Sequence, residues 1–205
     1  MVKIALVDYG VGNLHSACKA LEWAGAEVLL TADPQIMAAA DGIVLPGVGA
    51  FDAAMTRLEN LELTQPLKAL IAQDKPLLGI CLGLQVLFES SEEGTRPGLG
   101  VLPGRIKRFR PEPGLTIPHM GWNQLQFDQP DCPLWHGLEP SSWVYFVHSY
   151  YVDPAHPGDC SASSVHGQQP FTAAVAHKKL WAVQFHPEKS AQSGLQMLKN
   201  FVGSL

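Results

Sequence analysis

The sequence predicts a three-layer α/β fold, an open and mostly parallel sheet with helices on both faces. Its first half alternates short apolar runs with helical stretches, and its second half is richer in strands. The apolar runs of the first half are residues 3–7, 27–30, 42–45 and 77–80. Strands that are apolar throughout and separated by helices are typical of a parallel sheet that is covered on both sides.

The other elements follow from the same patterns. Helices are expected near residues 13–24, after Asp33-Pro34, from about Asp52 and at roughly 191–202. Added mixed or antiparallel strands are expected at residues 99–102, 105–109, 122–127, 143–152, 171–176 and 180–185. Because no linker, repeat or low-complexity tract interrupts the chain, we expect a single domain over residues 1–205, with its ligand site at the carboxyl ends of the parallel strands.

The composition fits a compact globular domain and argues against several functions. The chain has 205 residues, of which 46% are hydrophobic and 16% charged, and its net charge of −5 disfavours a general nucleic-acid binder. The amino terminus turns acidic and glycine-rich too early for a signal peptide, and no apolar run reaches membrane-spanning length. We therefore expect a cytoplasmic protein that binds neither nucleic acid nor membranes.

Three of the four cysteines are expected to be reduced structural thiols. Cys18, Cys132 and Cys160 lack the C-x-x-C spacing of zinc sites, so neither a metal site nor disulfides are predicted from them.

The fourth cysteine lies in the most informative stretch, Gly79-Ile-Cys-Leu-Gly83, directly after an apolar strand. Such a strand that turns sharply into a helix, with a nucleophile at the bend, is a nucleophile elbow with sulfur in place of oxygen. The flanking glycines, Gly79 and Gly83, leave room for the tight turn. The positive end of the helix from Leu82 favours thiolate over thiol, so Cys81 is the candidate nucleophile.

A second motif, His186-Pro187-Glu188, follows the last predicted strand. Positions i and i+2 of an extended chain face the same side, and Pro187 biases His186 toward the extended region. His186 could then transfer protons at the sulfur and the leaving amine, while Glu188 orients the imidazole and stabilises its cation. On its own this spacing is weak, but together with an elbow cysteine it indicates a Cys81-His186-Glu188 triad.

A third motif, Pro46-Gly-Val-Gly-Ala-Phe51, joins a buried strand to a helix. Its glycines let the backbone approach a ligand closely, which makes Gly47 a candidate substrate contact. In elbow enzymes one oxyanion donor is the N–H after the nucleophile, here that of Leu82. The other comes from a neighbouring loop, and the candidates are the amides of Val48 and Gly49.

These motifs, in this order, resemble the class I, triad-type glutamine amidotransferases. The resemblance covers essentially the whole chain. Within the family, the segments Tyr9-Gly-Val-Gly-Asn-Leu14 and Pro118-His-Met-Gly-Trp-Asn123 resemble the glutaminase subunits of imidazole glycerol phosphate synthases, which serve histidine biosynthesis. The resemblance implies that Cys81 attacks the side-chain amide of glutamine, giving a glutamyl thioester and ammonia, and that water then releases glutamate.

The resemblance also implies substrate contacts. Gln85 lies one helical turn after Cys81 and could pair with the amino-acid end of glutamine. Ser149 and Tyr150 match the family segment that holds the rest of the substrate. No cofactor is implied.

A partner is implied because a free glutaminase would lose its ammonia to solvent. By resemblance it is a (β/α)8-barrel cyclase that forms a heterodimer with the glutaminase and uses the ammonia to make imidazole glycerol phosphate. Four residues match family contact positions and are the candidate interface: Asn13, Trp122, Tyr145 and Lys189. The resemblance further implies weak glutaminase activity until the partner binds nucleotide. We expect the Val48 amide to enter the oxyanion hole only in that state.

Three alternatives remain open at this point. The chain could be the glutaminase of another synthase, of the pyridoxal phosphate or anthranilate type, or a stand-alone cysteine hydrolase acting on γ-glutamyl peptides. It could also be a non-enzymatic α/β binding module with a vestigial elbow.

Overall fold

A computed structural model describes all 205 residues, which form thirteen strands and six α-helices. The strands are β1 (Val2–Val7), β2 (Ala26–Thr31), β3 (Gly42–Leu45), β4 (Leu77–Ile80), β5 (Ser90–Ser91), β6 (Gly104–Arg108), β7 (His119–Gln124), β8 (Gln126–Phe127), β9 (Trp143–His148), β10 (Tyr150–Pro154), β11 (Cys160–His166), β12 (Gln169–His177) and β13 (Leu180–Val183). The helices are α1 (Leu14–Trp23), α2 (Pro34–Ala39), α3 (Phe51–Asn60), α4 (Thr64–Ala72), α5 (Leu82–Gln85) and α6 (Ala191–Gly203). Short 3₁₀ turns lie at Pro133–Trp135, Pro157–Asp159 and Pro187–Lys189.

Eleven strands form one sheet, whose main path runs β2-β1-β3-β4-β13-β12-β10-β6-β5. The strands from β2 to β13 along this path are parallel neighbours. Strands β12, β10 and β6 extend the sheet in antiparallel pairings, and all of them come from the second half of the chain. The prediction of a mostly parallel sheet with antiparallel additions is therefore confirmed.

Helices cover both faces of the parallel strands, as the three-layer prediction requires. On one face, Ile4 and Leu6 of β1 belong to the core that contains the buried residues of α1 and α6. On the other face, Ala5 and Val7 belong to the core that contains the buried residues of α2, α3, α4 and α5. Because successive side chains of a strand point to opposite faces, strands buried on both sides must be apolar throughout.

The predicted strand at residues 99–102 is wrong. This segment is irregular, and its N–H groups donate to the carbonyls of residues 86–88, which follow α5; the Leu99 N–H, for example, donates to the Val86 carbonyl over 2.8 Å. Leu99 and Leu102 are buried, so their apolar character reflects anchoring in the core rather than strand pairing.

Two predicted strands are each divided in the structure. The stretch 122–127 is interrupted at Leu125, whose side chain turns into the core, so that β7 and β8 join different sheets. The stretch 143–152 is interrupted at Ser149, where the chain passes from the small sheet to the large one. Strands β7 and β9 thereby form a separate antiparallel pair, which was not predicted.

Helix α4 and strands β5 and β11 were also not predicted. The other elements lie within a few residues of their predicted positions, and Asp33 caps α2 by accepting a hydrogen bond from the Gln35 N–H at 2.8 Å. No helix combines the length and the apolar character that crossing a bilayer requires.

Candidate active site

The elbow at Cys81 is the tight strand-to-helix turn that was predicted from its flanking glycines. Cys81 follows β4 with φ of 55° and ψ of −109°, a conformation that non-glycine residues rarely adopt, and it is buried. A Cβ added to Gly83 would lie 1.8 Å from the Leu45 carbonyl oxygen, and one added to Gly79 would lie 2.9 Å from the Gly83 carbonyl oxygen. No larger residue fits at either position, and the tight turn holds the thiol at the carboxyl edge of the sheet.

The helix after Cys81 begins at Leu82, as predicted, and is short. Helix α5 contains only four residues, so its dipole gives less support to negative charge on the sulfur than a long helix would.

An imidazole and a carboxylate lie together at the same edge. The His186 Nδ1–H donates to Glu188 Oε1 over 2.8 Å, and both side chains are only 3% exposed. Neither His186 Nε2 nor Glu188 Oε2 has another hydrogen-bond partner. Burial lowers the pKa of His186, but the neighbouring Cys81 sulfur and the hydrogen-bonded Glu188 carboxylate outweigh it and raise that pKa to about 10. The site therefore favours the imidazolium cation beside the sulfur.

Strand β9 holds the backbone of His186. The His186 N–H donates to the Tyr145 carbonyl over 3.0 Å. The Ser190 hydroxyl accepts from the Tyr145 N–H at 2.9 Å and donates to the His186 carbonyl at 2.7 Å. The imidazole is thus attached to the small sheet as well as to the end of β13.

The glycine loop does not present the Leu82 and Val48 amides as a pair of oxyanion donors in this structure. The Leu82 N–H donates to the Gly47 carbonyl oxygen over 3.3 Å, so this expected donor is already paired. The peptide between Gly47 and Val48 is trans, and its N–H and C=O therefore point in opposite directions, which turns the Val48 N–H away from Leu82. Gly49 is exposed, with φ of 98°.

A cavity of about 270 Å³ joins these groups. Cys81 and His186 line it, together with six other residues singled out from the sequence: Val48, Gly49, Leu82, Gln85, Ser149 and Tyr150. Gly47 is not among the lining residues; it is buried, and a Cβ there would lie 2.6 Å from the Tyr9 hydroxyl. A thiol, an imidazole–carboxylate pair and a cavity for a small molecule provide the nucleophile, the proton-transfer group and the binding space for acyl transfer through a thioester.

Comparisons with known proteins agree with this chemistry. A family model described as glutamine amidotransferase class-I matches residues 5–205. The chain belongs to the class I glutamine amidotransferase family.

Individual relatives carry more specific names than the family model does. The amidotransferase is 66% identical over 199 residues to a protein of Gloeobacter violaceus, covering 97% of this chain and 88% of that protein. It is 64% identical over 200 residues to a protein of Synechococcus elongatus, covering 98% and 92% of the two chains. Both relatives are named imidazole glycerol phosphate synthase subunit HisH. A solved structure described as PurLQS from Thermotoga maritima matches with a TM-score of 0.76 at 19% identity, covering 99% of this chain and 98% of that one, which confirms the fold.

The side chain of Gln85, which was expected to pair with the amino-acid end of the substrate, already makes two hydrogen bonds within the protein. Its side-chain amide group donates to the Tyr150 carbonyl over 3.1 Å and to Gln184 Oε1 over 3.0 Å. Both amide hydrogens are therefore used within the protein. Only the carbonyl oxygen of Gln85 is left for a substrate donor.

The four expected interface residues lie around one rim. Trp122 and Tyr145 are paired across β7 and β9, with ring centroids 6.1 Å apart, and Trp122 is 48% exposed. Lys189 is exposed in the 3₁₀ turn after Glu188. Asn13 caps α1, which contacts that turn. Asn13 therefore has a structural role whether or not a partner binds.

Several residues of the site were not predicted from the sequence. Glu93, Pro118, Val147 and His148 also line the cavity. Gln184 is fully buried next to the sulfur. A signal for Gln184 was present, because it lies two residues before His186 at the end of the predicted strand 180–185, and strand alternation would place both on one face. No such local signal identifies Glu93, which approaches the cavity through a loop.

His119 and His148 form a buried hydrogen-bonded pair at the wall of the cavity. His148 Nδ1–H donates to the Tyr150 carbonyl over 2.8 Å, which leaves His148 Nε2 as an acceptor. The His119 Nδ1–H must then donate to it over 3.2 Å, and the Asn123 amide donates to His119 Nε2 over 3.3 Å. Burial is the main cause that lowers the pKa of His119 to about 4 and that of His148 to about 3.

These neutral imidazoles should make stability depend on pH. The unfolded chain protonates them below about pH 6.5, whereas the folded chain does so only near pH 4 and below, so unfolding binds protons between these values. The free energy of unfolding should fall as pH falls from 6.5, by up to about 1.4 kcal/mol per pH unit for each histidine. Urea unfolding at several pH values measures this slope. His148→Gln should lower this slope by up to about 1.4 kcal/mol per pH unit, because one neutral imidazole is removed. A slope equal to that of the wild type would contradict a neutral His148 in the folded chain.

A second cleft, of about 330 Å³, lies at the other end of β4 and β13 and carries no comparable chemistry. Two of its polar side chains are paired within the protein, Lys178 with Asp74 at 3.3 Å and His177 with Asp159 at 3.0 Å. The structure also contains no group of His, Cys, Asp or Glu side chains arranged to hold a metal ion.

Proposed function

We propose that this chain is the glutaminase subunit of an imidazole glycerol phosphate synthase and supplies ammonia to a cyclase partner in histidine biosynthesis. The observation that carries the proposal is the identity of 64–66% over nearly the whole chain to relatives named as that subunit. We also propose that residues 1–205 act as one amidotransferase domain in the cytoplasm, without a cofactor.

In the proposed reaction, Cys81 Sγ attacks the side-chain amide carbon of glutamine. His186 gives a proton to the departing nitrogen, the C–N bond breaks, and ammonia leaves a γ-glutamyl thioester on the sulfur. Water then attacks the thioester while His186 takes its proton, the C–S bond breaks, and glutamate is released. Glu188 keeps the imidazole in the required orientation through the Nδ1–H bond of 2.8 Å.

Substrate selection would come from the polar rim of the cavity. The free carbonyl oxygen of Gln85 and the carboxylate of Glu93 are acceptors suited to the α-ammonium group of glutamine. Glu93 also accepts from the Phe51 N–H over 2.8 Å, which connects it to the start of α3, directly after the glycine loop. Ser149 and Tyr150 would hold the rest of the amino acid, and Gly47 lets the loop approach.

The glycine loop provides a reason for partner dependence. Rotation of the peptide between Gly47 and Val48 would remove the acceptor from the Leu82 N–H and turn the Val48 N–H toward the cavity, giving two oxyanion donors. Gly49, which already has a positive φ, can absorb part of the change. We propose that the cyclase, once it has bound nucleotide, stabilises the rotated form.

The partner would dock on the rim formed by Asn13, Trp122, Tyr145 and Lys189. Exposed tryptophan beside tyrosine is typical of interface anchors, and this rim adjoins His186 through the Tyr145 carbonyl. A (β/α)8-barrel cyclase bound there would cover the cavity and receive the ammonia before solvent does.

The function is tested by glutamine hydrolysis with the purified chain alone, with a candidate cyclase, and with cyclase plus its nucleotide substrate. Because one missing oxyanion donor costs about 10²–10³ in rate, the complete mixture should exceed the chain alone by about 10²-fold or more. Strong turnover by the lone chain, unchanged on adding cyclase and nucleotide, would indicate a stand-alone hydrolase instead. Co-purification with a pyridoxal phosphate or anthranilate synthase partner would assign the glutaminase to that enzyme.

A further inference from the structure

Gln184 is a fully buried polar residue beside the proposed nucleophile. It lies between β13 and His186, and its backbone N–H donates to the Ala173 carbonyl over 2.8 Å, which anchors it to β12. A side-chain amide removed from water in this way needs specific partners, because an unpaired buried amide destabilises the fold. The partners of Gln184 are Cys81 and Gln85.

The orientation of the Gln184 amide follows from a chain of donors and acceptors. The Tyr150 backbone carbonyl can only accept, so the group of Gln85 that faces it at 3.1 Å must be the NH₂. The same NH₂ lies 3.0 Å from Gln184, which must present its oxygen there. The NH₂ of Gln184 is thereby directed to the other side, where it donates to Cys81 Sγ over 3.7 Å.

We infer that Gln184 is a positioning residue, which fixes the orientation of the Cys81 sulfur through this N–H···S bond. The inference rests on the proposed function. His186 Nε2 has no fixed hydrogen bond of its own, so the imidazole alone does not determine where the sulfur points. The Gln184 amide is a buried donor whose hydrogen bond fixes the direction of the sulfur.

The same bond has a chemical consequence in the second half of the reaction. When water releases glutamate, the C–S bond breaks and its electron pair returns to sulfur. A hydrogen bond to an anion is stronger than one to a neutral acceptor, so the Gln184 N–H interacts more strongly with the departing thiolate than with the thioester. Because Gln85 holds Gln184 in place, the sulfur and the proposed α-ammonium site belong to one hydrogen-bonded unit.

The test uses Gln184→Met, which removes both polar atoms at similar size, and Gln184→Glu, which keeps the acceptor for Gln85 but loses the donor to sulfur. Gln169→Met is the matched control. Gln169 is also buried, and its side-chain amide bonds to the backbone N–H and the backbone carbonyl of Arg110. Each chain is assayed for glutamine hydrolysis in complex with cyclase and nucleotide, and separately for alkylation of Cys81 by iodoacetamide. Thermal melting measures the folded fraction to which both rates are normalised.

Loss of one hydrogen bond to sulfur should lower kcat of Gln184→Met about tenfold with KM within about twofold, and slow the alkylation of Cys81. Gln184→Glu should lose more, because its carboxylate would face the sulfur, and Gln169→Met should match the wild type in both assays. A kcat for Gln184→Met within twofold of wild type, a change in KM only, or an equal loss in the control would overturn the inference. If the wild-type complex fails to hydrolyse glutamine, the proposed function falls, whereas the alkylation rates still test the contact between Gln184 and sulfur.

Discussion

Cys81→Ala is expected to lower glutamine-dependent turnover by at least about 10⁴-fold, because no other thiol lies in the cavity and the reaction would lose its covalent intermediate. Alanine accepts the positive φ at this position no less readily than cysteine, so the elbow should keep its shape. Glutamate release in the complex with cyclase and nucleotide measures the loss.

Two controls separate chemistry from folding in that experiment. When ammonium salt is added in place of glutamine, the Cys81→Ala complex should make product at the wild-type rate, because the cyclase would then need no glutaminase chemistry. Cys132→Ala removes a buried thiol from the core and should leave the normalised glutaminase rate unchanged. Residual glutaminase activity above about 1% in Cys81→Ala would show that another group is the nucleophile.

Gly83→Ala is expected to cause the largest loss of stability of any single methyl addition at the site. The new Cβ would lie 1.8 Å from the Leu45 carbonyl oxygen, and both groups belong to backbone that is fixed by the sheet and the elbow. Overpacking of this kind costs about 3 kcal/mol or more, which corresponds to a fall of about 6–12 °C in Tm for a chain of this size. Thermal unfolding followed by circular dichroism measures it.

Gly203→Ala is the matched control for Gly83→Ala. It adds the same methyl group at the last residue of α6, where nothing lies within 4 Å, so its Tm should equal or slightly exceed that of the wild type. Equal Tm values for both variants would mean that β3 and the elbow can separate without cost, and the account of the turn would be wrong. The surviving folded fraction of Gly83→Ala should also lose glutaminase activity, because any shift of the turn moves Cys81.

The elbow could be predicted from sequence because its cause is local. An apolar strand followed by Gly79-Ile-Cys-Leu-Gly83 permits few backbone paths, and the clash at Gly83 shows why. The segment 99–102 was mistaken for a strand because burial, not pairing, determines its apolar character. Sequence patterns record which side chains are buried, but they do not record which backbone groups bond to one another.

The parts of the site that the sequence left open depend on contacts between distant segments. The pairing of the Leu82 N–H with the Gly47 carbonyl is set by the direction of one peptide, which the composition of the loop does not specify. Gln184 could have been assigned to the face of His186 by strand alternation, but its contact with Gln85 joins segments 99 residues apart. The division of residues 143–152 at Ser149 likewise depends on which sheet each half joins.

The two proposed reacting groups are held by different sets of strands. Cys81 is tied to the large sheet, where its N–H donates to the Val183 carbonyl, whereas the backbone of His186 is tied to the small sheet through Tyr145 and Ser190. Because His186 also follows β13 directly, the position of its imidazole relative to the sulfur depends on both sheets. A partner bound to the outer face of β7 and β9, at Trp122, would therefore contact one of the two supports of His186.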